Sequence, residues 1–241
     1  MHAAAGLVAQ LDAHGVTRPA SIRSEAPLLL RARTSKAGPL DVFMVGGAAG
    51  PLGGDCLSLA LRIGDGASVV LRSVAARLAQ PSPRGGASLL STTADVESGA
   101  HVDWWPEPLI SVRGSDHTSA TIVRCAADAH VRWVDEIVLG RTDEPNGRLT
   151  IRQRFEVDDQ PVLHHDVLFD PTESPLGRHG QFRVIVTAVS IGHASEQAST
   201  IVTNDVRATR TPLAETATAW IALAHDLTTA RATIAALGLT R

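Results

Sequence analysis

A mainly β protein of stacked, layered sheets built from successive hairpins, ending in a short C-terminal helical segment, is the fold class this sequence predicts. Three observations carry it. Short alternating apolar and polar runs recur at roughly 30-residue spacing, each broken by a small turn containing Gly or Asp. A glycine-dense stretch over residues 46–55 joins one extended run directly to another. Helical spacing of apolar residues appears only near the C-terminus. The 241 residues read as one domain, long enough for a substantial core.

Along the chain, residues 2–15 are Ala-rich and read as a frayed strand or one helical turn. Residues 27–34 and 40–45 alternate as strands. The glycine stretch then closes on Asp55, with Gly53 and Gly54 immediately before it. A phosphate-cradling loop needs a following helix and Gly-Lys-Ser/Thr, and neither is present, so a tight crossing of backbone is the reading. Three units follow one plan: residues 57–63 with 67–72, 89–96 with 100–104, and 119–124 with 129–133. Each second run opens on Ala-x-Val after its turn, which is a hairpin signature, and the recurrence favours stacked layers over a closed barrel.

Alternation sends Ala100, Val102, Trp104 and Ala129, Val131, Trp133 inward, and His101, Asp103, His130 and Arg132 outward. Trp105 then faces away from Trp104, and Pro106 stops the strand because it cannot donate to a ladder. Residues 135–141 complete a long strand, and 149–157 and 162–169 alternate across Asp158-Asp159. Residues 181–191 and 199–208 are β-branched strands. Thr211-Pro212 opens the helical segment over 213–237, with Ala217, Trp220, Ile221, Ala224 and Leu227 at helical spacing and Gly238 as the stop.

Composition excludes several function classes. A net charge of −3, aromatics at 3% and no tyrosine argue against a nucleic-acid binder, which is basic and offers stacking rings. Cys56 and Cys125 are too few for a disulfide framework or a cysteine-rich zinc site. Residues 1–13 lack a basic leader and no apolar run reaches membrane-spanning length, so the cytoplasm is the expected compartment and no membrane is involved. No Gly-x-Ser-x-Gly elbow, His-Glu-x-x-His or Cys–His pairing stands out. Asp55, Asp135, Glu136 and Glu144 lie beside loops or strand ends, where carboxylates with imidazoles handle divalent metals weakly and reversibly; solvated turn and edge positions are the plainer alternative.

Three stretches carry a family resemblance. Gly53-Gly54-Asp55 precedes the alternating run 57–63 and then Arg72-Ser73-Val74-Ala75-Ala76; Asp103-Trp104-Trp105-Pro106-Glu107-Pro108-Leu109-Ile110 follows; Leu139-Gly140-Arg141 with Glu144-Pro145 comes last. In this order, over residues 39–169, they resemble the urease accessory protein UreD (UreH) family. In that reading Gly53, Gly54, Trp104, Pro106, Gly140 and Arg141 are motif residues. The resemblance implies a non-enzymatic assembly factor that binds the urease apoenzyme and recruits UreF and the GTPase UreG. It further implies delivery of nickel through a water-filled passage, with no tightly bound cofactor and nickel only in transit. Asp55, Asp135, Glu136 and Glu144 are the candidate transit ligands, and Trp105, Pro108, Ile110 and Trp220 the candidate partner surface. Two alternatives stand beside it: a metal-dependent enzyme using His101 and His130 or the His164-His165-Asp166 cluster, which needs three converging ligands, and a structural protein-binding module without a metal role.

Overall fold

The structure, a computed structural model, describes residues 1–36, 38–172, 181–192 and 197–241. Two sheets face each other across an apolar core. In the first, the order is β14 (Gln160–Phe169), β13 (Arg148–Val157), β11 (Asp116–Cys125), β8 (Ser88–Val96), β5 (Cys56–Ile63), β1 (His2–Leu11) and β2 (Thr17–Arg23). In the second it is β16 (Ser199–Val202), β17 (Val206–Ala214), β18 (Ala217–Ala224), β15 (Val184–Ile191), β12 (His130–Leu139), β9 (His101–Trp104), β6 (Ser68–Ser73), β4 (Leu40–Gly46) and β3 (Leu28–Arg33). Two short strands, β7 (Arg77–Ala79) and β10 (Leu109–Ser111), add to the second sheet beside β12.

The layered β architecture is as the sequence predicts, but the three repeated units are not hairpins. Strands β5, β8 and β11 pair with one another in parallel, as do β6, β9 and β12 in the opposite sheet. Each turn therefore arches from one sheet to the other, and its two strands meet through side chains instead of hydrogen bonds. Alternation cannot tell these cases apart, because both place every second residue in the core. The repeat decides it: each strand finds an in-register partner in the next unit. The buried alanines Ala67, Ala100 and Ala129 close the arches through N–H bonds to Gly64, Glu97 and Ala126 carbonyls at 3.0–3.1 Å. The only predicted strand pair joined as a hairpin in this region is β13–β14, turned by Asp158 and Asp159 at φ +47° and +61°.

Parallel in-register stacking builds the core in tiers. Leu61, Ala94, Val123 and Phe155 form one, and Val69, Val102, Val131 and Ile191 another, all buried. Trp104 and Trp133 stack with ring centroids 4.3 Å apart, close to the spacing of neighbouring strands. Both point inward, as their alternation predicts.

Both chain ends depart from expectation. Residues 2–11 form a full strand between β2 and β5. The predicted helix over 213–237 is instead strand β18 followed by helix α1 (Leu227–Ala236). Alanine-rich runs satisfy the strand and helix periods at once, and pairing of β18 with both β15 and β17 selects the strand. Asp226 caps α1 by accepting from Thr229 N–H at 2.8 Å, and Gly238 at φ +93° lies just past its end, as predicted. Ala230 and Ile234 of α1 pack on Val134, Val186 and Trp220, covering the outer face of the second sheet.

The glycine stretch carries the chain from β4 to β5, from one sheet to the other. A side chain at Gly53 would put its Cβ 2.7 Å from the Gly86 carbonyl oxygen and 3.1 Å from Ser82 N, so the crossing is crowded with backbone. Gly54 adopts φ +85°, which favours glycine. Gly53→Ala should therefore lower the unfolding free energy in urea by about 2 kcal/mol; a change below about 0.5 kcal/mol would contradict the crowding.

Candidate functional site

Because neighbouring strands stack in register, one residue position per unit generates a row across the molecule. Leu59, Thr92, Thr121, Gln153 and His165 are successive partners on β5, β8, β11, β13 and β14. After Leu59 this row is polar, and Thr92, Thr121 and Gln153 are buried in an otherwise apolar core. From the second sheet, Asp135 and its register partner Thr187 meet it. Gln153 Nε2 joins the sheets, donating to Asp135 Oδ2 at 2.9 Å and to Thr187 Oγ1 at 3.2 Å. Asp135 also accepts from the indoles of Trp104, at 3.1 Å, and Trp133, at 3.3 Å.

Charge in this space is finely set. Burial, opposed by the Trp104 indole and then by the Arg77 charge, pushes the Asp135 carboxyl above its ordinary value of 3.8. Burial likewise pulls the Arg77 guanidinium down, with Asp135 opposing. His117, two tiers from the row, is enclosed, and burial together with the Arg77 charge lowers its pKa to about 3. Its Nδ1 lies 2.9 Å from Ser88 Oγ. Arg77 Nε, His117 Nε2, Gln153 Oε1, Ser111 Oγ and Ser115 Oγ are buried and find no protein partner among the described residues. Buried polar atoms are nearly always satisfied, so these call for ordered water or a bound group.

Cavities lie near the two ends of the row, with Leu59 in the lining of one and His165 in that of another. A cavity of about 310 Å³ lies beneath the glycine stretch, with Leu57, Leu59, Leu90, Ser73 and Arg77 among its lining residues. Another of about 280 Å³ opens between β13–β14 and β15–β18, lined by His165, Thr187, Ile137 and Ile151 among others. A narrow gap of about 10 Å³ lies between them, sharing Arg77 with the first and Ile137 and Ile151 with the second, with Asp135 and Ser119 on its wall.

Of the four predicted transit carboxylates, Asp135 and Glu136 both line the narrow gap, and Asp135 is the one bonded to the row. Glu136, next in sequence, points to the opposite side of β12, buried under α1, where it accepts from Trp105 Nε1 at 3.0 Å and from Arg231 Nε at 2.8 Å. Asp55 is 5% exposed rather than presented to water. It accepts from Leu52 N–H and the Met1 amino group, both at 2.9 Å. These bonds outweigh burial and hold its carboxyl below the usual range. Glu144 takes the Arg141 backbone N–H at 3.0 Å and its guanidinium at 3.0 and 3.2 Å, which pushes its pKa down to about 2. With Gly140 at φ +76°, where a Cβ would fall 2.4 Å from the Glu144 carbonyl oxygen, the Gly140–Arg141–Glu144 motif is a locked turn.

The predicted partner surface is mostly covered. Trp105 does face away from Trp104, but α1 and the C-terminal residues close over it, leaving it 3% exposed with the Arg132 and Arg241 guanidiniums 5.8 and 5.9 Å from its ring centroid. Trp220 is buried on β18, donating to the Leu237 carbonyl at 3.0 Å. Pro108 is buried, and Ile110 lies half-buried on β10 between β7 and β12. Alternation gives the side of a sheet and not whether a later segment covers that side.

The candidate metal sets for an enzyme do not form. His101 and His130 stack at 4.4 Å, and His164 and His165 face opposite ways. No group of three His, Cys, Asp or Glu converges as a metal site among the described residues. Sequence reasoning missed Arg77, Thr92, Thr121, Gln153 and Thr187; the available signal was a polar residue at one matching position of successive units.

The charge setting makes stability depend on pH. His117 has a folded pKa of about 3 against an ordinary 6.5. Below pH 6.5 the unfolded chain takes a proton that the folded chain refuses, so this contribution is complete above 6.5 and is lost as pH falls toward 3. Urea unfolding between about pH 6 and 4.5 should lose about 1.4 kcal/mol more per pH unit in the wild type than in His117→Asn. Equal slopes would contradict a neutral, enclosed imidazole.

A family model described as UreD urease accessory protein matches residues 2–240. The chain is 40% identical over 161 residues to a urease accessory protein UreD of Parafrankia sp. (strain EAN1pec), a match covering 67% of this chain and 54% of that protein. It is 42% identical over 161 residues to that of Frankia alni, covering 59% and 54%. To that of Streptomyces coelicolor it is 35% identical over 171 residues, covering 71% and 67%. The chain thus spans about half the length of the Parafrankia and Frankia relatives it matches. With a family model covering nearly every residue, the chain belongs to the UreD family of urease accessory proteins.

Proposed function

We propose that the protein is a non-catalytic maturation scaffold for urease, which binds the apoenzyme, recruits UreF and the GTPase UreG, and gives nickel a passage toward the dinuclear active site. Membership of the UreD family carries the maturation role. The polar row in an apolar core supports the passage: its Asp135 carboxylate, Thr and Gln oxygens and the His165 imidazole at one end are oxygen and nitrogen ligands suited to brief contact. Nickel stands high in the divalent affinity order, so a three-ligand cage would trap it, whereas single ligands spaced along water let it leave. Arg77 beside Asp135 weakens each contact further by its like charge with the metal.

Both cysteines are free, which fits a reducing compartment, and cytoplasmic action is part of the proposal. No helix among the described residues is long and apolar enough to cross a membrane.

The test is co-expression with a urease operon lacking its own copy of this factor, reading nickel per active site and co-purification together. Wild type should restore both. Asp135→Asn should keep the complex but lower nickel content roughly tenfold. Unchanged nickel in that variant would remove Asp135 from the path and leave a protein-binding module, and a wild type retaining no urease component would overturn the scaffold itself.

A further inference from the structure

The cavity beneath the glycine stretch joins two features that do not belong together without a ligand. Its walls are aliphatic, with Leu28, Leu57, Leu59 and Leu90 among them, and a volume of about 310 Å³ so lined does not hold water well. Yet Arg77 also lines it, and its buried Nε finds no hydrogen-bond acceptor among the described residues. Asp135 acts on Arg77 through its charge, but its hydrogen bonds come from Trp104, Trp133 and Gln153. A buried guanidinium N–H without an acceptor is costly unless one arrives.

The rim narrows the choice of occupant. Val74 is 59% exposed at the mouth, with Ala48, Ala49 and Ala75 exposed beside it. A small metabolite would fill the cavity and leave this apolar rim in water, whereas a protein surface seated on the mouth covers both. A cationic segment would be repelled by Arg77, and a purely apolar one would leave its donors unmatched.

We propose that this cavity is a docking socket for a partner protein, which inserts an aliphatic side chain and places a neighbouring carboxylate on the Arg77 guanidinium. The socket deepens the scaffold reading and rests on it. It lies at the crossing of β4 to β5, with Gly46, Gly50 and Pro51 in its lining. The carboxylate takes two parallel N–H bonds from the planar guanidinium, a fit that lysine would not reproduce.

Two arms test it. In methyl NMR titrations of the full chain, hexanoate should shift leucine methyl resonances of the cavity and bind roughly tenfold tighter than hexan-1-ol, a preference lost in Arg77→Met. Equal binding of the two probes, or no shift with either, would overturn the pairing of apolar wall and guanidinium. In co-expression with the urease components, Val74→Asp and Arg77→Met should each lower partner retention roughly tenfold or more, Val74→Asp serving as the exposed change that leaves the core intact. Retention equal in wild type and both variants would overturn the socket alone. A wild type that retains no partner would overturn the maturation reading and the socket together.

Discussion

The structure depends on parallel, in-register stacking of successive arches. Each arch places one strand in each sheet, and hydrogen bonds to the next arch fix residue against equivalent residue at the spacing of neighbouring strands. The turns are tied as well: Glu97 N–H donates to the Ile63 carbonyl, Ala126 N–H to Val96 and Asp158 N–H to Cys125, at 2.9–3.0 Å. Side chains therefore form files instead of pairs. The stacked Trp104–Trp133 and His101–His130 rings are two such files, one inside and one outside.

That constraint explains how a polar path can cross an apolar core without a dedicated loop. A single tolerant position, occupied by Thr92, Thr121, Gln153 and His165 in turn, becomes a continuous row once stacking aligns it. The tryptophan file then has two roles: it fills the core and supplies two indole donors that hold Asp135 against the row. On the other side of β12, Glu136 takes Trp105 and Arg231 and fastens α1 to the sheet. Arg231 also reaches Glu107 at 3.4 Å, and the Glu136 hydrogen bonds raise the Arg231 pKa above its ordinary value. Adjacent carboxylates thus do different work because a strand sends neighbours to opposite faces.

Much of this was legible in the residues. The inward set of Ala100, Val102, Trp104 and their equivalents, the crowded glycine crossing and the Asp158-Asp159 hairpin all follow from alternation and turn chemistry. The opposite facing of His164 and His165 follows the same way. What was not legible depends on which strand meets which. Hairpin and arch share one alternation pattern, so the pairing of β5 with β8 instead of β6 was hidden, and with it the row. The burial of Trp105 was hidden for a related reason: its cover is α1, more than a hundred residues later. Asp55 and Glu144 look like free carboxylates in a one-dimensional reading, and their backbone and arginine partners appear only when the turns close. The strand at β18 was masked by alanine, which satisfies either period.

The proposed passage requires that the row between the sheets be wet and admit a divalent cation without holding it. The most direct measurement is the anomalous-scattering map of a crystal soaked in nickel. Partial-occupancy peaks between the sheets, beside Asp135 and Gln153 and toward His165, with water between them, are the predicted result. Peaks confined to exterior groups such as His101 and His130, with the space around Asp135 dry, would contradict it.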